Sequence, residues 1–277
     1  GSVKSELVYP PFEPQPSNDI RLNESIIKQL QKKDLLLSYP YESMNPFLKL
    51  LKEAAYDNSV ISIKISIYRL AKNAKIVDYL CAAAENDKDV TVLIELRARF
   101  DEQNNIDWSQ RLEQAGCRII YGFEGYKVHS KVCLITRRER GKISYITQIG
   151  TGNYNEKTSK QYTDFSLMTS DMEIGTDANE FFKNMAIGSL EGNYSTLLVA
   201  PNSMKSKIIE LIDREISKGT KGRIFVKFNS ISDLTLINKL AEASLAGVNI
   251  QMIVRGICCI LPQVEGKTDN IFIKSIV

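Results

Sequence analysis

Histidine is almost absent from this sequence: 277 residues contain one, His129. A metal site built on several imidazoles is therefore excluded. The five cysteines, Cys81, Cys117, Cys133, Cys258 and Cys259, lack metal-ligand spacing, so reduced thiols are the expectation. Net charge is also small, at +3, which gives no warrant for a protein that coats nucleic acid, although local basic clusters remain able to hold a polyanion. No apolar run approaches the roughly 20 residues that span a bilayer, and the N-terminus lacks the charged and apolar regions of a signal peptide. A cytoplasmic protein is expected, with membrane association of a longer parent left open. Methionine is missing from the start; Gly1-Ser2 reads as the scar of a removed tag, and hence the chain as a piece of a longer protein.

What is present is ordinary for a globular protein, with 43 % hydrophobic and 25 % charged residues, and the length suggests two domains. Pro10, Pro11, Pro14 and Pro16 make residues 1–40 an expected linker and extension, with a short helix near Asn23–Gln31. Helical spacing follows over Pro46–Tyr56. Ile61, Ile63, Ile65 and Ile67 then alternate with polar residues and predict a strand ending at Tyr68-Arg69. A helix over Ile76–Glu85, a strand over Val90–Leu96 running into Arg97-Ala98-Arg99, a helix over Ile106–Ala115 and a strand over Cys117–Tyr121 complete an α/β pattern. Further strands are expected at Gln161–Thr169 and Leu197–Ala200, and helices near Ala178–Ile187 and Ser203–Ser217. The first domain is placed at 41–193 and the second at 194–277.

The only histidine lies in the most informative stretch, Tyr126–Asn153. Alternation over Val128–Thr136 predicts a strand that puts His129 and Lys131 on one face. A second strand, Ile143–Ile149, ends in Gly150-Thr151-Gly152-Asn153, a turn whose glycines allow backbone amides and an Asn side chain to approach a phosphate. Arg69, Arg97, Arg99 and Asn153 all fall at strand ends, where α/β sheets bind ligands.

An internal repeat is also legible. Arg223–Ser230, a helix over Leu234–Ala246, then Val248–Val254 and Arg255 follow the order of Val60–Ile67, Lys75–Glu85, Val90–Leu96 and Arg97. This aligns Lys227 with Lys64 and Arg255 with Arg97, and the chain ends before the second copy would reach a histidine of its own.

His129-x-Lys131 followed by Gly150-Thr151-Gly152-Asn153 resembles the motif of the phospholipase D superfamily, except that Thr136 stands where an aspartate is usual. Over a wider span YPYESM, SIYRLA, ELRARFDE, YKVHSKVCLITRR, IGTGNYNEKTSKQYTDFSLMT, KFNS and VRGICC resemble, in order, the two C-terminal catalytic domains of polyphosphate kinase. The resemblance implies a phospholipase D-like mixed sheet flanked by helices, one complete domain plus part of a second homologous copy. It also implies reversible transfer of the ATP γ-phosphate to inorganic polyphosphate through a phosphohistidine, with Mg2+ as cofactor. Imidazole is a competent nitrogen nucleophile near pH 7, which makes His129 the phosphorylated residue. Lys131, Arg69, Arg97, Arg99 and Arg255 are available as phosphate clamps. The family associates the positions of Arg69 and Arg99 with magnesium; a guanidinium cannot ligate a cation, so these two are read as holding phosphates that hold the metal. The positions of Arg255 and Tyr162 are associated with ATP, Tyr162 by meeting the adenine. Asp164, two residues on, is read as orienting the imidazole.

The expected partners are ATP, ADP and polyphosphate, without nucleic acid, in a full-length protein that forms homo-oligomers. The fragment alone is expected to be inactive or nearly so. Two other readings stay open at this point: a phospholipase D-type phosphodiesterase, and a non-catalytic polyanion-binding module that needs only the basic strand ends.

Overall fold

The computed structural model describes residues 12–68, 70, 74–95, 102–123 (backbone alone for 102–105) and 125–276. The chain divides into two compact units, residues 1–197 and 198–277.

In the first unit, helix α1 (Ile26–Leu30) leads to strand β1 (Leu35–Tyr39), helix α2 (Asn45–Tyr56) and strand β2 (Val60–Ile67). Helix α3 (Lys75–Glu85), β3 (Asp89–Ile94), α4 (Glu102–Gln114) and β4 (Arg118–Tyr121) follow. The antiparallel run β5 (Val132–Glu139), β6 (Lys142–Gly150) and β7 (Asp164–Thr169) precedes helix α5 (Met172–Ala186). The strands form one mixed sheet in the order β1-β7-β6-β5-β2-β3-β4. This is the expected α/β class, a mixed sheet flanked by helices.

The alternation of β2 sets its two faces. Ile63, Ile65 and Ile67 are wholly buried in the core shared with α2, α3 and α4, among Phe47, Leu51, Leu80 and Leu112. The other side of the sheet supplies Leu93, Val132 and Leu134 to a second cluster with Ala178 and Phe182 of α5. On that side β2 places polar residues: Lys64 Nζ donates to Asn179 Oδ1 at 3.1 Å, and Ser66 is fully buried.

Three expectations are corrected here. The N-terminal extension does not run to residue 40, because Leu35–Tyr39 pairs along its length with β7 and α1 is docked on the core. Ser25 caps it, and α2 holds its first turn: Glu53 accepts from Ile26 N at 3.0 Å, Ile27 N at 3.1 Å and Ser25 Oγ at 2.8 Å. Burial alone would raise this carboxyl, but Lys49 and those donors hold it below its usual value. Second, the strand read from Val128 begins only at Val132, so His129 and Lys131 lie in the irregular segment before it.

Third, Leu197–Ala200 is not a strand, since the donors leading into it are taken by a side chain. Asp177 of α5 accepts from Thr196 N at 2.7 Å, Leu197 N at 2.8 Å and Ser195 N at 3.2 Å. Burial pushes the Asp177 carboxyl up, but the N–H groups of Leu197, Thr196 and Ser195 outweigh it and the net shift is down. The stabilisation is therefore complete above the ordinary value of 3.8 and is lost as pH falls through the lower folded value. Asp177→Ala should cost about 2 kcal/mol in urea denaturation at neutral pH, and the gap from wild type should close in acid. A gap that persists below that range would assign the loss to packing rather than to the carboxylate.

The second unit has helix α6 (Met204–Ile216), β8 (Arg223–Phe228), α7 (Leu234–Leu245), β9 (Asn249–Val254) and β10 (Ile271–Lys274), the last not expected from the sequence. Its three strands are parallel, in the order β10-β9-β8, as are β2, β3 and β4. The repeat is real in topology, but its register differs from the sequence alignment. The pair Ser62–Ile67 with Asp89–Ile94 matches Arg223–Phe228 with Asn249–Val254. Glu95 N donates to Ile67 O at 3.2 Å, as Arg255 N does to Phe228 O at 3.1 Å. Lys227 thus corresponds to Ser66 and Arg255 to Glu95, two positions from the partners read in the sequence. A shift of two keeps every side chain on its face, so the hydrophobic pattern could not detect it.

Candidate active site

Because β5, β6 and β7 reverse direction in turn from β2, four strand termini meet at one edge of the sheet. The register Ile65↔Cys133, Val132↔Ile149 and Gly150↔Ser166 places the carboxyl ends of β2 and β6 beside the amino ends of β5 and β7. Residues far apart in sequence are collected there.

The organising side chain is Tyr68, just past β2. The His129 ring meets it edge-on, with centroids 5.0 Å apart and planes at 72°, and the Lys131 ammonium lies 5.4 Å from its centroid. In place of the expected common strand face, the imidazole and the ammonium have a common neighbour, the Tyr68 ring. His129 is exposed, whereas Lys131 is only 6 % exposed and donates to the carbonyl of His129. Burial pushes the Lys131 ammonium down to about 8, against a smaller upward pull from the Asp164 carboxylate. Burial makes this ammonium costlier to keep charged than an exposed one.

The Gly150–Asn153 turn is braced by β7. Thr151 N donates to Phe165 O at 3.0 Å, Thr151 Oγ1 accepts from Phe165 N at 2.9 Å and donates to Asp164 Oδ1 at 2.8 Å. A Cβ on Gly152 would stand 2.4 Å from Asp164 Oδ2, so any other residue there would displace the Asp164 side chain. Asp164, read from the sequence as the group orienting the imidazole, accepts from Thr151 Oγ1 and acts by its charge on Lys131. Nearby, the side-chain oxygens Ser130 Oγ, Asn153 Oδ1 and Glu156 Oε1 are buried without a hydrogen-bond partner among the described residues. Sequence reasoning missed the roles of Tyr68, Thr151 and the buried Ser66; Ser66 lies on the polar face that it shares with Ser62 and Lys64, so the alternation of β2 gave no signal that it is buried.

Two sequence families match the chain. Residues 25–190 match Polyphosphate kinase C-terminal domain 1 and residues 197–277 match Polyphosphate kinase C-terminal domain 2. The chain belongs to the polyphosphate kinase family. A polyphosphate kinase of Staphylococcus epidermidis is 43 % identical over 274 residues, 98 % of this chain and 37 % of the relative. The crystal structure of polyphosphate kinase from Porphyromonas gingivalis superposes with TM-score 0.86 at 37 % identity, covering 98 % of this chain and 45 % of that one. The chain thus spans about two fifths of the length of the curated relatives it matches. A phosphatidylserine synthase of Haemophilus influenzae shares the fold, with TM-score 0.53 at 14 % identity over 83 % of this chain and 65 % of that one.

Of the other positions matched to polyphosphate kinase, Arg69, Arg97 and Arg99 lie outside the described residues. Tyr162 is 44 % exposed after the short turn Thr158–Lys160 and just before β7. Arg255 is exposed directly after β9 in the second unit. Thr136, where a phospholipase D motif has aspartate, is buried within β5, paired with Ser62 and Tyr145. The described residues contain no group of three or more His, Cys, Asp and Glu able to hold a metal ion. No helix among the described residues is long and apolar enough to cross a membrane.

Proposed function

We propose that this chain carries the phosphoryl-transfer centre of a polyphosphate kinase, with His129 as the nucleophile and ATP and inorganic polyphosphate as substrates. The observation that carries this reading is that the exposed His129 ring and the buried Lys131 ammonium both lie against the ring of Tyr68, just past β2. An imidazole nitrogen attacks the γ-phosphorus, the N–P bond forms as the bond to the β-phosphate oxygen breaks, and ADP leaves. A terminal oxygen of polyphosphate then attacks the same phosphorus and frees the imidazole. Both steps run in either direction because the two phosphorus–oxygen bonds are alike. Such transfers depend mostly on positioning and on charge directed at the phosphoryl oxygens. Lys131, the turn at Asn153 and, by the resemblance, the arginines at positions 69, 97 and 99 supply those groups, and Tyr162 offers an aromatic face to the adenine; Arg255, the position associated with ATP in the family, belongs to the second unit. Magnesium, brought by the ATP phosphates, neutralises phosphate charge.

The test is polyphosphate-dependent conversion of ADP to ATP by a full-length enzyme containing this chain, and its dependence on His129. Diester hydrolysis without that conversion would favour a phosphodiesterase instead. Polyphosphate binding that is indifferent to His129 and lacks turnover would favour a binding module.

A further inference from the structure

The segment that carries His129 precedes β5, yet its backbone is bound at every residue from Val128 to Val132, the first residue of that strand. Val128 N donates to Glu95 Oε2 at 2.8 Å, and the His129 carbonyl accepts from Lys131 Nζ. Ser66 Oγ donates to Ser130 O at 3.0 Å and accepts from Val132 N at 3.1 Å. The Lys131 carbonyl accepts from Gly150 N at 2.9 Å. The β2–β5 ladder stops at Ile65↔Cys133; beyond it, side chains replace the ladder. Ser66 is 0 % and Glu95 is 5 % exposed, so neither bond competes with water, and the carboxylate bond is of the stronger, charge-assisted kind.

A buried serine and glutamate at the end of a parallel pair are not demanded by the fold. The second unit closes the same pair with Lys227 and Arg255 at these two positions, both exposed. We infer that Ser66 and Glu95 are positioning residues that clamp segment 128–132 and thereby fix where His129 presents its imidazole. The inference rests on the reading of His129 as nucleophile. Neither residue touches substrate; each acts through the backbone on either side of His129. Misplacement of a nucleophile by an ångström is enough to slow transfer by about a hundredfold.

The test has two arms. In this chain, amide hydrogen exchange at Val128 and Val132 is compared for wild type, Ser66→Ala, Glu95→Ala and Glu95→Gln, with circular dichroism to check folding. Protection should fall about tenfold at Val132 in S66A and at Val128 in E95A, and less in E95Q, whose amide oxygen still accepts from Val128 N–H. In a full-length enzyme containing the same changes, the single-turnover rate of protein phosphorylation at saturating γ-labelled ATP should drop at least about tenfold in S66A and E95A. The ATP concentration for half-saturation should stay unchanged and E95Q should lie nearer wild type. Unchanged protection, unchanged rate, or E95Q as slow as E95A would overturn the clamp. If wild type takes up no label, the nucleophile reading fails, and the exchange arm still decides whether these residues hold the segment.

Discussion

His129→Ala in a full-length polyphosphate kinase containing this chain should abolish protein labelling from γ-labelled ATP and magnesium. Wild type should carry a label that is labile in acid and stable in base. The effect should be all or none because the described site offers no other imidazole; His129 is the only histidine in the chain. His129 is exposed, so its replacement leaves little buried space unfilled, and urea stability should change by no more than about 0.5 kcal/mol. Label that survives the substitution would place the nucleophile elsewhere. No label in wild type, with the protein folded, would withdraw the phosphohistidine step and leave His129 a structural or diesterase residue.

Lys131→Met should act in opposite directions on stability and binding. The ammonium is 6 % exposed, and burial lowers its pKa from 10.5 to about 8. Keeping it charged in the fold costs on the order of 3 kcal/mol, present in full below about pH 8, shrinking as pH rises towards 10.5, and absent above. The variant should therefore be more stable than wild type at pH 7, and the difference should narrow steadily between about pH 8 and 10. Phosphate or polyphosphate affinity should fall at least about tenfold in the variant. In wild type, affinity should decline as pH passes about 8, because the anion must then recharge the amine. Stability curves at pH 7 and 9.5, with calorimetric titration of polyphosphate, check both parts. A variant that binds as wild type does, with the same pH dependence, would remove Lys131 from the site.

Much of the architecture was open to sequence reasoning because its signals are local. The isoleucine alternation of β2, the helical spacing of α2 and α3 and the repeated order in residues 223–255 all follow from which face must be dry. The Gly-Thr-Gly-Asn turn was legible from its glycines, although only the structure shows that an added side chain at Gly152 would meet Asp164. The errors also share a cause. Leu197–Ala200 has strand composition, but the donors at residues 195–197 are claimed by Asp177, and Val128–Lys131 alternates like a strand while its backbone is bound by Glu95 and Ser66. Composition reports what a segment prefers, not which distant side chain takes its hydrogen bonds.

By itself the sequence determined the α/β class, the repeat, the single histidine and its lysine neighbour, since each depends on residue type and short-range spacing alone. Only the tertiary structure decided that Tyr68 joins the imidazole to the ammonium, that Asp164 serves Thr151 and Lys131, and that Arg255 corresponds to Glu95 rather than Arg97. These are relations between strand ends. Register and side-chain reach across a sheet are set by packing, and a slip of two residues leaves no trace in the hydrophobic pattern.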